Sequence, residues 1–273
     1  MRLGLEAGQY TLSLAAELGI RGVPIDGAAL VGQGVDATLA PLKEQGLEVC
    51  QVGMFGFNPL STDTTAARRQ TELLRQVIPL VPRTGCRYIV IGPGNYHPSG
   101  FGHFDRRNFE PAAIRALAEA LKPLVSPAEA HGVCLSVEPY LKGVIHSPER
   151  FRTLHSLVRS DALRANVDPS SLYSFWESLR PQATVEAVCN GLAGHYGLVH
   201  IKEVGVWEGF HLHMGLVPLG KGHTDWAHML RLIPPHLPDD SWVVLEHVLS
   251  PEEGRESFRR LMAAAREAGV TLG

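Results

Sequence analysis

The chain has 273 residues, 45% hydrophobic and 19% charged, the balance of an ordinary soluble globular enzyme. A net charge of -3 argues against a nucleic-acid or anionic-membrane partner, and no apolar stretch approaches the roughly 20 residues of a membrane span. The length fits one large α/β barrel as well as two medium domains.

Short apolar runs alternate with longer amphipathic ones from the start. MRLGLEAGQY reads as a first strand, RLGLEA (2–7), without the long apolar core of a signal peptide. A helical pattern at 11–18 leads to a second strand, IRGVPID (20–26), and another at 36–46 to a third, LEVCQVGM (47–54). A long amphipathic stretch at 65–85 precedes CRYIVIG (86–92), after which GPGNYHPSGFGHFD (92–105) forms a loop. The pattern continues as helix 111–132, strand VCLSVEP (133–139), helix 147–160, strand LRANVD (163–168) and helix 184–195. It ends with strand LVHIKEV (198–204), the loop GVWEGFHLHMGLVPLGKGHTD (205–225), helix 225–234, strand WVVLEHV (242–248) and helix 250–269.

Ser147 and Ser250, each followed by Pro and Glu, are helix caps, and Gly46, Gly85, Gly132 and Gly269 close helices in the left-handed conformation. Near-continuous apolar strands are those of a parallel sheet covered on both faces. Eight βα units with no dividing linker predict a single (β/α)8 TIM barrel domain over 1–273. The competing doubly wound sheet would carry a glycine-rich loop after strand one, and GLEAGQYT does not match GxGxxG. Cys50, Cys86, Cys134 and Cys189 form no CxxC pair, so reduced thiols and a cytoplasmic location are expected.

Four polar side chains end four of the apolar runs: Glu138, Asp168, His200 and Glu246, on strands five to eight. Taken singly, an acid there is as readily a helix cap, and a lone histidine a hydrogen-bonded core residue. Four in register, at the barrel end where active sites form, are a candidate site for a divalent cation. Alternation along strand eight points Glu246 inward and His247 outward. Lys202 faces the same side as His200, either to neutralise an anionic intermediate or to pair with a ligand carboxylate. His97, Trp207 and His213 are weaker substrate contacts, as readily loop or packing residues. Glu6 either lines the pocket or bonds the backbone of the next turn. The turn LGKGH (219–223) lacks the Walker pattern and shapes the start of a helix, with Asp225 as its cap or as a partner for the site.

In this order VEPY, NVD, HIKE, PLGKGHTDW and LEH resemble the motifs of the xylose-isomerase-like barrels. That superfamily includes sugar isomerases and epimerases, inosose dehydratases and endonuclease IV. The resemblance implies that Glu138, Asp168, His200 and Glu246 hold a divalent metal, Mn²⁺ or Mg²⁺ being favoured and Zn²⁺ or Co²⁺ compatible. It further implies a sugar or polyol isomerase or epimerase acting through an enediolate, with Glu138 and Glu246 transferring the proton. The alternative is an inosose-dehydratase-like lyase on the same site, and a remote one an endonuclase-IV-like DNA-repair nuclease. Homo-oligomers are common in that superfamily. The chain departs from the pattern at Glu203, where relatives carry Asp, and at Ser171, where D-x-x-H would place a histidine. No substrate-binding arginine follows strand seven.

Overall fold

A computed structural model describes residues 1–207 and 209–273. In chain order the strands are β1 (Arg2–Leu5), β2 (Gly22–Asp26), β3 (Glu48–Met54), β4 (Tyr88–Ile91), β5 (Cys134–Val137), β6 (Leu163–Val167), β7 (Tyr196–Ile201), β8 (Glu203–Trp207), β9 (His213–Val217) and β10 (Trp242–Leu245). Eight of them close a parallel barrel in the order β1-β10-β7-β6-β5-β4-β3-β2. The helices are α1 (Thr11–Leu18), α2 (Gly27–Gly32), α3 (Val35–Glu44), α4 (Thr64–Val77), α5 (Pro111–Ala130), α6 (Pro148–Val158), α7 (Phe175–Leu179), α8 (Gln182–Gly191), α9 (Trp226–Leu232) and α10 (Pro251–Ala268). Among the described residues no helix is long and apolar enough to cross a membrane. The expected eight-stranded barrel is therefore the observed one.

Local chemistry sets the boundaries. Ser147 and Ser250 accept hydrogen bonds from the third residue of α6 and α10, and Gly269 closes α10 with φ 71°. The pattern expected as one helix at 36–46 is preceded by a separate α2, capped by Asp26, and the 65–85 stretch tightens into a 3-10 turn after Val77.

The 205–225 segment, expected to be a loop, folds in part as an antiparallel hairpin in which β8 pairs with β9 from Glu203↔Val217 to Trp207↔His213. Its foot is tied to the barrel by the buried Glu203. This carboxylate accepts from Thr224 Oγ1 at 2.8 Å, Trp226 Nε1 at 2.8 Å and the Gly220 N–H at 3.3 Å. Burial raises its pKa, while these donors favour the ionised form. Asp225 caps α9 by accepting from the His228 N–H, so of its two expected roles the structure shows the cap.

Two irregularities of register lie on strands that carry interior polar groups. On β3 one residue, Cys50, is extra between the pairs Val23↔Val49 and Pro24↔Gln51, and on β7 Gly197 is extra between Ala165↔Tyr196 and Asn166↔Leu198. Such bulges break strict alternation and re-aim the side chains that follow.

The seam between β1 and β2 rests on a single pair, Gly4↔Gly22, with Trp242 buried against it. A Cβ on Gly22 would run into the Trp242 indole and approach Cys50 Cβ at 3.1 Å. Gly22→Ala is expected to cost about 1–3 kcal/mol by overpacking, read as a lower urea midpoint with an unchanged slope.

Candidate active site

Glu138, Asp168 and Glu246 are the first residues beyond β5, β6 and β10, and His200 lies in β7. The sheet ladder still holds the backbone there: Glu138 N–H donates to Ile91 O at 2.9 Å, and Glu246 N–H to Ile201 O at 3.0 Å. These neighbouring strands bring three carboxylates and an imidazole together, one donor atom from each lying within 4.8 Å of the others. All four side chains are buried. This set can hold a metal ion.

Lys202, beyond the end of β7, sends Nζ into the same cluster. It lies 3.1 Å from Glu138 Oε1 and 2.6 Å from Glu246 Oε1, and it also contacts Asp168 Oδ2. Of its two expected roles, the geometry displays the ion pair, made to all three carboxylates at once. Burial opposes ionisation of Glu138, yet Lys202 and His200 outweigh it and hold the carboxyl below its usual range. Glu246 is depressed in the same way against burial, with His200 the leading partner and Lys202 the second. Burial works against the charge on Lys202 too, and the facing carboxylates raise its pKa.

His200 Nδ1 lies 2.9 Å from Glu246 Oε2 and 3.3 Å from Glu138 Oε2 but has no hydrogen-bond partner. Its Nε2 is 2.7 Å from Gln51 Oε1. With that oxygen as acceptor, Nε2 carries the proton of the neutral ring and the Nδ1 lone pair faces the two carboxylates. Such an arrangement calls for a cation or a second proton. Burial disfavours the protonated ring, but Glu246 and Glu138 overcome it and raise the pKa to about 10.

Hydrogen bonds fix the carboxylates as well. Ser171 donates from Oγ to Glu138 Oε1 at 3.1 Å or to Asp168 Oδ2 at 2.9 Å. Asp168 Oδ1 accepts from Ser170 Oγ at 2.6 Å, and Glu138 Oε2 from Asn166 Nδ2 at 3.0 Å. Asn166 and Gln51 escaped the sequence reading. Asn166 was visible only as part of NVD, and the Cys50 bulge obscures the interior aim of Gln51.

Glu138, Glu246 and Gln51 open onto a cavity of about 890 Å³ between the barrel mouth and the β1–β3 side. His247 lines it too, which corrects its expected outward placement. Having left the strand, His247 adopts a left-handed backbone (φ 57°), and its Nε2 comes within 3.6 Å of Glu246 Oε1. Glu6 combines both of its expected roles: it lines the cavity and accepts from the N–H groups of Gly8 at 2.8 Å and His247 at 3.0 Å.

The structure does not bring His97, Trp207 or His213 into this cluster. His97 stacks on His103 at 4.7 Å within its own loop, and Trp207 stacks on His213 at 6.2 Å across the hairpin. None of the three lines the cavity.

A closed parallel barrel with a carboxylate–imidazole cluster at the C-terminal ends of its strands has the architecture of a barrel enzyme. A family profile described as xylose isomerase-like TIM barrel matches residues 12–268, and the chain belongs to that family. No curated protein matches it. Among solved structures, a xylose isomerase-like TIM barrel protein from Mycobacterium smegmatis in complex with magnesium superposes with a TM-score of 0.70. It is 20% identical, with 93% of this chain and 88% of that one covered. The E. coli 3-keto-D-glucoside 4-epimerase gives 0.70 at 16% identity, covering 97% and 99%. A probable 3-DHS dehydratase from Bacillus anthracis gives 0.71 at 16% identity, covering 95% and 98%. At these identities the likeness is one of fold.

Two predictions follow from the cluster. Gln51→Leu strands the buried Nε2–H of His200 and is expected to cost about 1–3 kcal/mol in urea unfolding; an unchanged midpoint would refute the hydrogen bond. In chelator-treated protein, the depressed carboxylates contribute stability that is full above pH 4.5 and fades as the pH falls below it. The raised imidazole contributes fully below pH 6.5 and fades as the pH rises towards about 10. Thermal melts should therefore show the cluster's contribution at its maximum between those limits.

Proposed function

We propose that the chain is a divalent-metal-dependent isomerase or epimerase of a sugar or polyol, with Glu138, Asp168, His200 and Glu246 as metal ligands. One observation carries the reading: four donors lie within 4.8 Å, and the buried Nδ1 of His200 is aimed among them without a hydrogen bond. Charge agrees. Three carboxylates against the single ammonium of Lys202 leave two negative charges when His200 is neutral, and a dication cancels them. Oxygen-rich donors favour Mg²⁺ or Mn²⁺, the magnesium complex of the mycobacterial barrel supports the former, and Zn²⁺ or Co²⁺ also suit the imidazole.

Bound there, the ion supplies Lewis acidity that lowers the pKa of a carbon acid beside a carbonyl. The protein groups then move the proton. Only Glu138 and Glu246 of the four line the cavity, and the charges of Lys202 and His200 keep both carboxylates ionised, the form in which a proton can be taken up. Asn166 and Ser171 hold Glu138, while Lys202 holds Glu246. Removal by one carboxylate and return by the other on the opposite face of the same carbon gives epimerisation. Return to the neighbouring carbon gives isomerisation. The placement of His247 supports a second reading, an inosose-dehydratase-like lyase, because an imidazole beside Glu246 can protonate a departing hydroxyl. We take residues 1–273 to act as one catalytic domain, and the four buried, unpaired cysteines suit the reducing cytoplasm.

The test is incubation of Mn²⁺-loaded protein with ketoses, inososes and hydroxypyruvate in D₂O. Deuterium α to the carbonyl together with sugar interconversion supports the isomerase, and loss of water the lyase. Glu138→Gln and Glu246→Gln are each expected to slow exchange by about 10²-fold or more with an unchanged circular dichroism spectrum. Full exchange in both variants would overturn the assignment.

A further inference from the structure

Resting on that catalytic reading, we infer that Gln51 is a substrate-binding residue. Its carboxamide oxygen holds the His200 ring, and its N–H groups donate to a hydroxyl of a polyhydroxylated ketone seated over Glu138 and Glu246.

The carboxamide is only half used within the protein. Its Oε1 lies 2.7 Å from His200 Nε2 and accepts that proton, which turns the amide nitrogen of Gln51 to the other side. Among the described residues no oxygen accepts from that nitrogen, although the residue is only 1% exposed. Two N–H bonds on a buried side chain call for acceptors. The side chain lines the cavity onto which Glu138 and Glu246 open, so a ligand there can supply one.

The backbone leaves the approach open. Beyond the Cys50 bulge, alternate residues of β3 face the same way, so the next residue on the Gln51 side is Gly53. Gly53 lines the same cavity. With no side chain at that position, β3 leaves the carboxamide uncovered towards the barrel mouth.

Scarcity of donors makes the contact selective. Among the described residues, only Gln51 and His247 line the cavity with side-chain N–H groups. The hydroxyls of Thr11 and Thr38 donate to Gly8 O and Gly34 O, each at 2.8 Å. His247 stands on the β10 side, its Nε2 3.6 Å from Glu246 Oε1, so Gln51 is the donor of the β3 side. A hydroxyl suits it better than a carbonyl, because a hydroxyl accepts one hydrogen bond and donates another. An acceptor for that second bond lines the same space. Asp26 commits Oδ1 to the Ala28 N–H at 2.9 Å, and among the described residues its Oδ2 takes no hydrogen bond.

Calorimetric titration of Mg²⁺-loaded protein with D-fructose, D-tagatose, D-psicose and 2-keto-myo-inositol tests this, followed by the monodeoxy derivatives of the tightest binder. In the wild type, removal of the hydroxyl that Gln51 holds should weaken binding about fivefold or more, the effect of one lost hydrogen bond. In Gln51→Leu that loss should shrink to within about twofold, while the losses at the other positions persist. A residue that only orients His200 would weaken the parent and every deoxy form alike, so unchanged ratios overturn the proposal. Failure of every ketone to bind overturns it too. Gly53→Val crowds the carboxamide without touching the His200 bond. It is expected to weaken the ketone severalfold at unchanged Mg²⁺ affinity, and full ketone affinity in this variant counts against the contact. D₂O exchange separates the two readings. Exchange in the wild type without selectivity that depends on Gln51 removes only this contact. Such selectivity without exchange on any ketone removes only the catalytic assignment.

Discussion

Three carboxylates share one buried site at the mouth of this barrel, and their mutual repulsion is the constraint that organises everything near them. A lone buried carboxylate is costly, and three at contact distance are untenable without compensating positive charge. Lys202 provides part of it by touching all three. His200 provides more when protonated, its ring wedged between Glu138 and Glu246. The serine and asparagine donors around Glu138 and Asp168 occupy the remaining carboxylate oxygens. What is left is a site with a residual demand for cationic charge, directed to a point fixed by four separate strands.

Rigid backbone makes that concentration of charge sustainable. Each acid stands one residue beyond a parallel strand, and for Glu138 and Glu246 the ladder bonds persist under it. The groups are therefore held against repulsion by a closed sheet that has no free edge along which to relax. Gln51 reaches across the barrel from β3 to orient His200, and the register shift at Cys50 is the feature that lets it do so. On the far side, Glu203 anchors the foot of the hairpin through three donors. In Glu203, next to Lys202 in the chain, the protein has a buried carboxylate satisfied by neutral donors, whereas Glu138, Asp168 and Glu246 also face the Lys202 ammonium.

The same cluster divides labour among its members. Asp168 and His200 lie behind, enclosed by protein, while Glu138 and Glu246 reach the cavity. An acid that both holds charge and faces substrate is suited to moving a proton, because its basicity is set by partners on its buried side. The cavity beyond is lined by the acids Glu6 and Asp26 as well as by the rings of Phe55 and Phe101.

Much of this was legible in the sequence. Periodicity identifies the eight strands, because each buries both faces and so reads as an unbroken apolar run. Glu138, Asp168, His200 and Glu246 stand out as polar exceptions to those runs, and Ser147, Ser250 and Asp225 announce their helices through local capping. Other features depend on neighbours distant in the chain. The pairing of Lys202 with three carboxylates requires residues from β5, β6 and β10 to converge on it. Gln51 is 149 positions from His200, and only barrel closure brings them to 2.7 Å. Strict alternation turns His247 outward, but the strand ends at Leu245, and a left-handed residue returns the imidazole to the cavity. His97, Trp207 and His213 have the right chemistry for sugar contacts, and loop and hairpin geometry holds them away from the cluster. The sequence by itself determined which elements form and which residues are chemically able, because strand burial and helix capping are written within a few residues. Tertiary structure alone decided which of those residues meet and which line the cavity, because both depend on closing a cylinder from strands far apart in the chain.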